Sequence, residues 1–228
     1  MGCDIHLYVE KRDAEGVWRS ADDWEPEEYD EDSEGNPLYH AVVPYEKLFY
    51  SGRNYELFAI LADVRNGRGF AGCDTGDRLN PIDDPRDLPD DVSAAVRQCS
   101  NDWGCDGHSH SWFTIAELLA YDWTQVVVKR GYVSLKEYRE WIRWRRGHGE
   151  GPEEYCGGVG GGSTRIVTEE EMQKLAAQEG GPDGFVYCQV SWTESYNSLA
   201  RHFWWSCMPK LLALGKPEDV RIVFWFDN

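Results

Sequence analysis

Between residues 3 and 11 apolar and polar positions alternate. Cys3, Ile5, Leu7 and Val9 point one way; Asp4, His6, Tyr8 and Glu10 point the other. A period of two predicts a half-buried strand. Asp13-Ala14-Glu15-Gly16 then reads as a turn, and residues 17–19 as the second strand of a hairpin. Residues 185–193 and 220–226 alternate in the same way and are predicted strands. Residues 54–64 follow helical spacing instead, with Leu57, Phe58, Leu61 and Ala62 on one stripe and Gly67 and Gly69 closing it. Pro89 is expected to open a helix running to about Gln98, proline being favoured in a first turn. Thr114, Ser134 and Thr168 each stand three residues before a glutamate, a capping-box pattern that predicts three further helix starts. The second of these helices reaches about Arg146, and the third buries Met172, Leu175 and Ala176. Residues 195–214 read as a helix bent near Pro209.

The segments between lack periodicity. Residues 22–36 are acidic and read as a solvated loop. Residues 65–89 are rich in Gly, Asp and Pro, residues 101–111 form a polar loop, residues 147–163 are glycine-rich, and residues 180–184 form a turn. Strands at both ends with helices between predict an α+β fold. Its sheet is expected to be mostly antiparallel, to include the N- and C-terminal strands, and to carry the helices packed on it. No repeat and no linker interrupts the chain, so residues 1–228 are read as one domain, with mobile loops near 22–44, 65–88 and 147–165.

Composition narrows the functional classes. The chain carries 41 acidic against 23 basic residues, a formal net charge of −18. Such a surface repels a nucleic-acid backbone, which argues against polymeric DNA or RNA as a partner. Eleven Trp and twelve Tyr are too many for a disordered chain. Seven cysteines, with no C-x-x-C pair, read as reduced thiols and offer no zinc-ribbon spacing. Asp4, His6 and Glu10 interrupt any signal-peptide core, and no apolar run reaches the roughly 18–20 residues of a membrane span. The expectation is a soluble cytoplasmic protein with no membrane partner and no cofactor, self-association being left open.

Five clusters could carry chemistry. Asp4 and His6 share a strand face, as a metal-ligand or acid–base pair or as a polar patch in which His6 bonds Asp4. Asp106, His108, Ser109, His110 and Ser111 precede a helix N-terminus, where free N–H groups suit an anion; the other reading is helix capping beside surface histidines. Arg53 and Tyr55 sit at one end of a helix and Arg65 at the other; arginine forks suit carboxylate or phosphate, from a ligand or from the chain's own acids. The glycine run at 157–163 lacks the Lys-Ser/Thr ending of a phosphate loop and reads as a flexible loop or lid. Trp192, Tyr196, Phe203, Trp204 and Trp205 crowd around Arg201 and His202; most are expected in the core, with one or two left to line a pocket.

The opening Met-Gly-Cys-Asp-Ile-His, the stretch from Arg53-Asn54-Tyr55 through Ala62 with Arg65, and Asp106-Gly107-His108-Ser109-His110-Ser111-Trp112 together resemble an uncharacterised family common in tailed phages and prophages. The resemblance covers about half of the chain. It implies a phage protein made in the cytoplasm of an infected or lysogenic bacterium. Accessory phage proteins often act on host defences that signal through small nucleotides. A protein that sequesters such a signal needs donors for phosphate and aromatic faces for a base. The leading expectation is therefore a nucleotide-binding sponge that uses Asp4, His6, Arg53, Tyr55, Arg65, Asp106, His108, Ser109, His110 and Ser111. One alternative is a nucleotide hydrolase with His6, His108 and Asp4 as catalytic groups, or with Asp4, His6, Asp106, His108 and His110 around a metal. The other is an acidic inhibitor of a protein, imitating DNA through its charge.

Overall fold

A computed structural model describes residues 2–178 and 185–227. The strands in chain order are β1 (Ile5–Arg12), β2 (Trp18–Ser20), β3 (Glu25–Glu31), β4 (Pro37–Val42), β5 (His108–Thr114), β6 (Val126–Ser134), β7 (Arg165–Val167), β8 (Val186–Ser195) and β9 (Val220–Phe226). The helices are α1 (Tyr55–Ala62), α2 (Ala94–Trp103), α3 (Ile115–Ala120), α4 (Leu135–Trp144), α5 (Glu169–Ala176), α6 (Tyr196–Leu199) and α7 (Met208–Leu212). The fold is α+β, and contacts divide the chain into two compact units. The first comprises residues 1–54, 81–122 and 200–228, and the second residues 55–80 and 123–199.

The first unit is built on an antiparallel sheet of order β2-β1-β9-β5, so the two terminal strands pair directly. Ile5 lies opposite Phe226 and Lys11 opposite Val220. The β1–β2 hairpin closes through the expected turn, with Gly16 at φ +82°. β9, expected to alternate, is apolar at every position but Arg221, and every one of its residues is buried. Nor is β1 half-buried as its alternation suggests: Tyr8 and Glu10, on its polar side, are covered as well. That side meets a cluster of Tyr8, Val92, Val96, Val223 and Trp225, to which α2 contributes Val96, Cys99 and Trp103. β1 alternates in residue type although both of its faces are covered, so its periodicity alone could not reveal the second layer.

Three further expectations change in the first unit. The helix placed at 89–98 begins at Ala94 and runs to Trp103, because Pro89 closes a turn to Val92 instead of starting a helix. The acidic stretch 22–36 is no bare loop: β3 and β4 pair as a separate two-stranded ribbon that exposes almost every residue. The ribbon turns where the Asp32 carboxylate accepts bonds from Glu34 N and Asn36 N (2.8 and 2.9 Å) and Gly35 takes φ +82°. The polar loop at 101–111 is replaced by the end of α2, a turn, and β5.

The second unit has a three-stranded sheet of order β6-β8-β7, with β6–β8 antiparallel and β7–β8 parallel. α4 and α5 cover it over a core of Tyr138, Trp141, Met172, Val190 and Trp192. Thr168 forms a full capping box with Glu171. Ser134 forms only half of one, because Glu137 turns to accept the Glu153 backbone N–H at 2.7 Å. At Gly76, φ is +131° and an added Cβ would lie 2.3 Å from the Val128 carbonyl oxygen, so only glycine lets this loop bridge to Lys129 on β6. The turn expected at 180–184 lies outside the described residues. The bend expected near Pro209 is a π-helical turn at Phe203–Cys207, immediately before α7.

Candidate ligand-binding site

Antiparallel register brings two of the sequence clusters onto one sheet. His6 on β1 lies opposite Trp225 on β9, and β5 flanks β9 on its other edge. The His6 ring sits 4.0 Å from that of Trp103, at the C-terminal end of α2, and 5.8 Å from Trp225. His110 reaches the same indole from β5, at 5.7 Å, and its Nε2 contacts Ser100 Oγ at 3.0 Å.

His108 does not join them. It pairs with Phe226, the neighbour of Trp225, and so belongs to the opposite face of the sheet. A bulge between His108 and Ser111 breaks the alternation, with Ser109 at φ +51°. His108 Nδ1 contacts Ser109 Oγ at 3.1 Å, while its buried Nε2 has no partner among the described residues. Ser111 is buried and accepts the Arg86 N–H at 3.2 Å. Asp106 is exposed in the turn after α2. The sheet thus brings the segment holding His108 beside His6 through His110, while His108 itself is turned away from them, because a one-residue change of phase sends a side chain through the sheet.

The partners differ from those the sequence suggested. His6 Nε2 faces Asp227 Oδ2 at 3.3 Å, not Asp4. Asp227 Oδ1 also accepts the Asp4 backbone N–H at 2.9 Å. The Asp4 carboxylate instead takes both prongs of Arg53, at 2.7 Å from Nε and through a close Nη2 contact. That guanidinium holds Asp4 below the usual carboxylate range. Burial pushes the proton affinity of His6 down, with Asp227 pulling the other way; burial lowers that of His110 too. Asp227 was overlooked in the sequence; its only signal is an acid directly after an apolar strand.

The expected anion site at the start of α3 is taken by the chain itself. Thr114 Oγ1 accepts the Glu117 N–H, and Glu117 Oε2 accepts the Thr114 N–H at 2.8 Å. Arg86 then binds Glu117 at 2.6 Å. Tyr55 and Arg65 belong to the second unit, where the guanidinium lies 5.7 Å from the Tyr55 ring centre. In the aromatic cluster, Trp192, Tyr196 and Phe203 are core, whereas Trp205 is exposed. Among the described residues no three His, Cys, Asp or Glu side chains come close enough together to hold a metal ion.

One groove in the first unit opens beside this face, with a volume of about 830 Å³. Its floor is His6 and Tyr8 from β1. One wall is Gln98, Cys99, Asp102 and Trp103 from α2, and the other is Tyr29, Tyr39 and His40 from the ribbon. The Cys99 thiol is raised by burial and contacts Tyr8 Oη at 3.0 Å, which makes it a poor nucleophile. Tyr8 is already stacked on Trp24 and Trp225, so the two walls, with Trp103 on one and Tyr29 and Tyr39 on the other, are what suit a planar ring, and the polar groups among them can fix its orientation. No family model, curated protein or solved structure matches this chain.

Proposed function

We propose that this protein binds and sequesters a small nucleotide-type ligand, holding its ring in the groove of the first unit without converting it. The reading rests on one observation: an open groove of nucleotide size whose walls carry Trp103, Tyr29, Tyr39 and two imidazoles. Stacking on such faces contributes about 1–3 kcal/mol per base and needs no activated water. The resemblance to phage proteins supplies the proposed setting, removal of a host immune signal from the bacterial cytoplasm. Arg53, expected on a phosphate, is engaged by Asp4, so the ring end is where recognition is proposed to lie.

A second reading, hydrolysis of the same ligand, draws on the His6–Asp227 pair. A carboxylate on one ring nitrogen orients imidazole for proton transfer from the other. The test is to incubate the protein with a panel of signalling nucleotides, isolate the complex, and chromatograph what heat releases. Intact ligand supports sequestration, altered ligand supports hydrolysis, and no retention shifts weight to the acidic protein-binding alternative. Trp103→Leu should weaken binding by about 1–3 kcal/mol. His6→Asn should cost about 1 kcal/mol if it supplies one hydrogen bond, and should abolish turnover if it is a general base.

A further inference from the structure

The charge around the groove specifies more than an aromatic ring. Among the described residues that line it there is no Lys or Arg, whereas Asp102 offers an exposed carboxylate from α2. Gln98 Nε2 donates to its Oδ1 at 2.7 Å, which fixes that carboxylate at the groove wall. Each of the two imidazoles already faces a carboxylate, which offsets positive charge at that point of the lining. His6 meets Asp227 at 3.3 Å and His40 meets Glu27 at 3.4 Å. Burial also holds the His6 ring in its neutral form at pH 7. Of the ribbon forming the far wall, β3 carries five acidic and no basic residues, one of them, Glu25, paired with Lys47 at 2.6 Å. Tyr29 and Tyr39 on that ribbon are each 58% exposed, so their rings are open to a ligand. The π-face of a phenol or indole carries negative charge density and attracts a cation set against it.

An anionic group is therefore disfavoured in the groove and a positive one favoured. Resting on the reading that this groove is the ligand site, we propose that it selects heteroaromatic rings carrying a delocalised positive charge, of the N-alkylated pyridinium or purinium class, over their neutral counterparts. Any phosphate on such a ligand stays outside the aromatic walls, where solvent screens it from Asp102 and the ribbon.

Matched probes separate the charge from the ring. Calorimetric titration would compare 1-methylnicotinamide with nicotinamide, and 7-methylguanosine at pH 6.5 with guanosine. The cation of each pair is expected to bind about tenfold tighter. Asp102→Asn, an isosteric change at an exposed position, should bring each ratio to within about threefold of unity. Trp103→Leu or Tyr39→Ala should weaken both members of a pair. Equal or tighter binding of the neutral rings would overturn the inference and leave the groove as the ligand site. Selectivity untouched by Asp102→Asn, or binding untouched by both wall variants, would overturn it as well. Failure of every ring to bind would remove the proposed function and the inference together.

Discussion

Asp22 shows how burial rather than sequence sets the behaviour of a single residue. It stands in a run of acids that reads as solvated surface, yet its Oδ2 accepts the Val9 N–H at 2.7 Å and a contact from Ser20 Oγ at 3.2 Å, while Oδ1 is buried without a partner among the described residues. Burial pushes its proton affinity up to about 6, against the opposing pull of those hydrogen bonds. The folded state therefore binds a proton that the unfolded state, with an ordinary carboxylate near 4, has already released. Between those values stability falls as pH rises, so the contribution of Asp22 is greatest in acid and lost above pH 6. His6 and His110 act oppositely. Their lowered values make the folded state resist protonation, so their cost grows as pH falls below about 6.5. Asp22→Asn isolates the first effect. In urea unfolding, wild type should gain about 2 kcal/mol relative to the variant between pH 7.5 and pH 4.5. Parallel pH profiles for the two proteins would show that Asp22 titrates normally.

At the scale of elements, β9 organises the first unit through one polar residue. Arg221 is 2% exposed and bonds Glu10 Oε2 at 2.7 Å across the β1–β9 pair and Asp91 at 2.8 Å beyond it. Its guanidinium lies 4.1 Å from the Trp18 ring centre. Glu10 uses its other oxygen to accept the Ser93 N–H at 2.7 Å, just ahead of α2, so one buried carboxylate ties a strand pair to the helix that walls the groove. Arg221→Met strands that carboxylate and should cost about 3–5 kcal/mol of unfolding free energy in urea titration; adding Glu10→Gln should restore part of it. A loss below about 1 kcal/mol in the single variant would mean that Glu10 finds other partners. This network also marks what could be read in advance. The two terminal strands, α1, and the starts of α3, α4 and α5 were legible because apolar period or a capping pattern encodes them locally, whereas the direct pairing of β1 with β9 was not. The ribbon was not, since a strand pair exposed on both faces carries no apolar alternation and β3 is mostly Glu and Asp. β6 went unread although Val127, Val133 and their neighbours supply a strand composition, because a buried lysine, Lys129, sits in its middle paired with Glu56 at 2.5 Å. In the site, His6 was visible, but the aromatic residues that line the groove, Tyr8, Tyr29, Tyr39 and Trp103, lie outside the aromatic cluster read from the sequence, none of which reaches it. The roles of Asp227, the ribbon and α2 were not, because they depend on register and on contacts up to 223 residues apart.

At the scale of the molecule, chain order and spatial grouping disagree. The first unit is assembled from three segments and the second from two, and the exchange points fall near residues 54, 80, 122 and 199. No linker composition marks these points, which is why the chain reads as one domain from its sequence. The arrangement makes the two units unequal under truncation. Removing residues 200–228 deletes β9, the strand between β1 and β5, so the first unit loses the centre of its sheet. The second unit keeps both of its segments in a chain of residues 55–199, interrupted only by residues 81–122. Its two ends at that interruption already meet: Asn80 Nδ2 donates to Gln125 Oε1 at 2.9 Å, and Asn80 N to Tyr196 Oη at 2.8 Å. A few glycine and serine residues can therefore replace residues 81–122 at little cost in loop closure. Such a shortened chain retains the core around Tyr138, Trp141, Met172 and Trp192 and the Lys129–Glu56 pair. It should unfold cooperatively, with near-ultraviolet dichroism from its buried tryptophans and protected amides along β6 and β8. A chain of residues 1–199 should show the same protected amides in β6 and β8 but none in β1. Loss of protection from β6 and β8 in the shortened chain would show that the second unit draws its stability from the first, and that the two compact units form one cooperative fold.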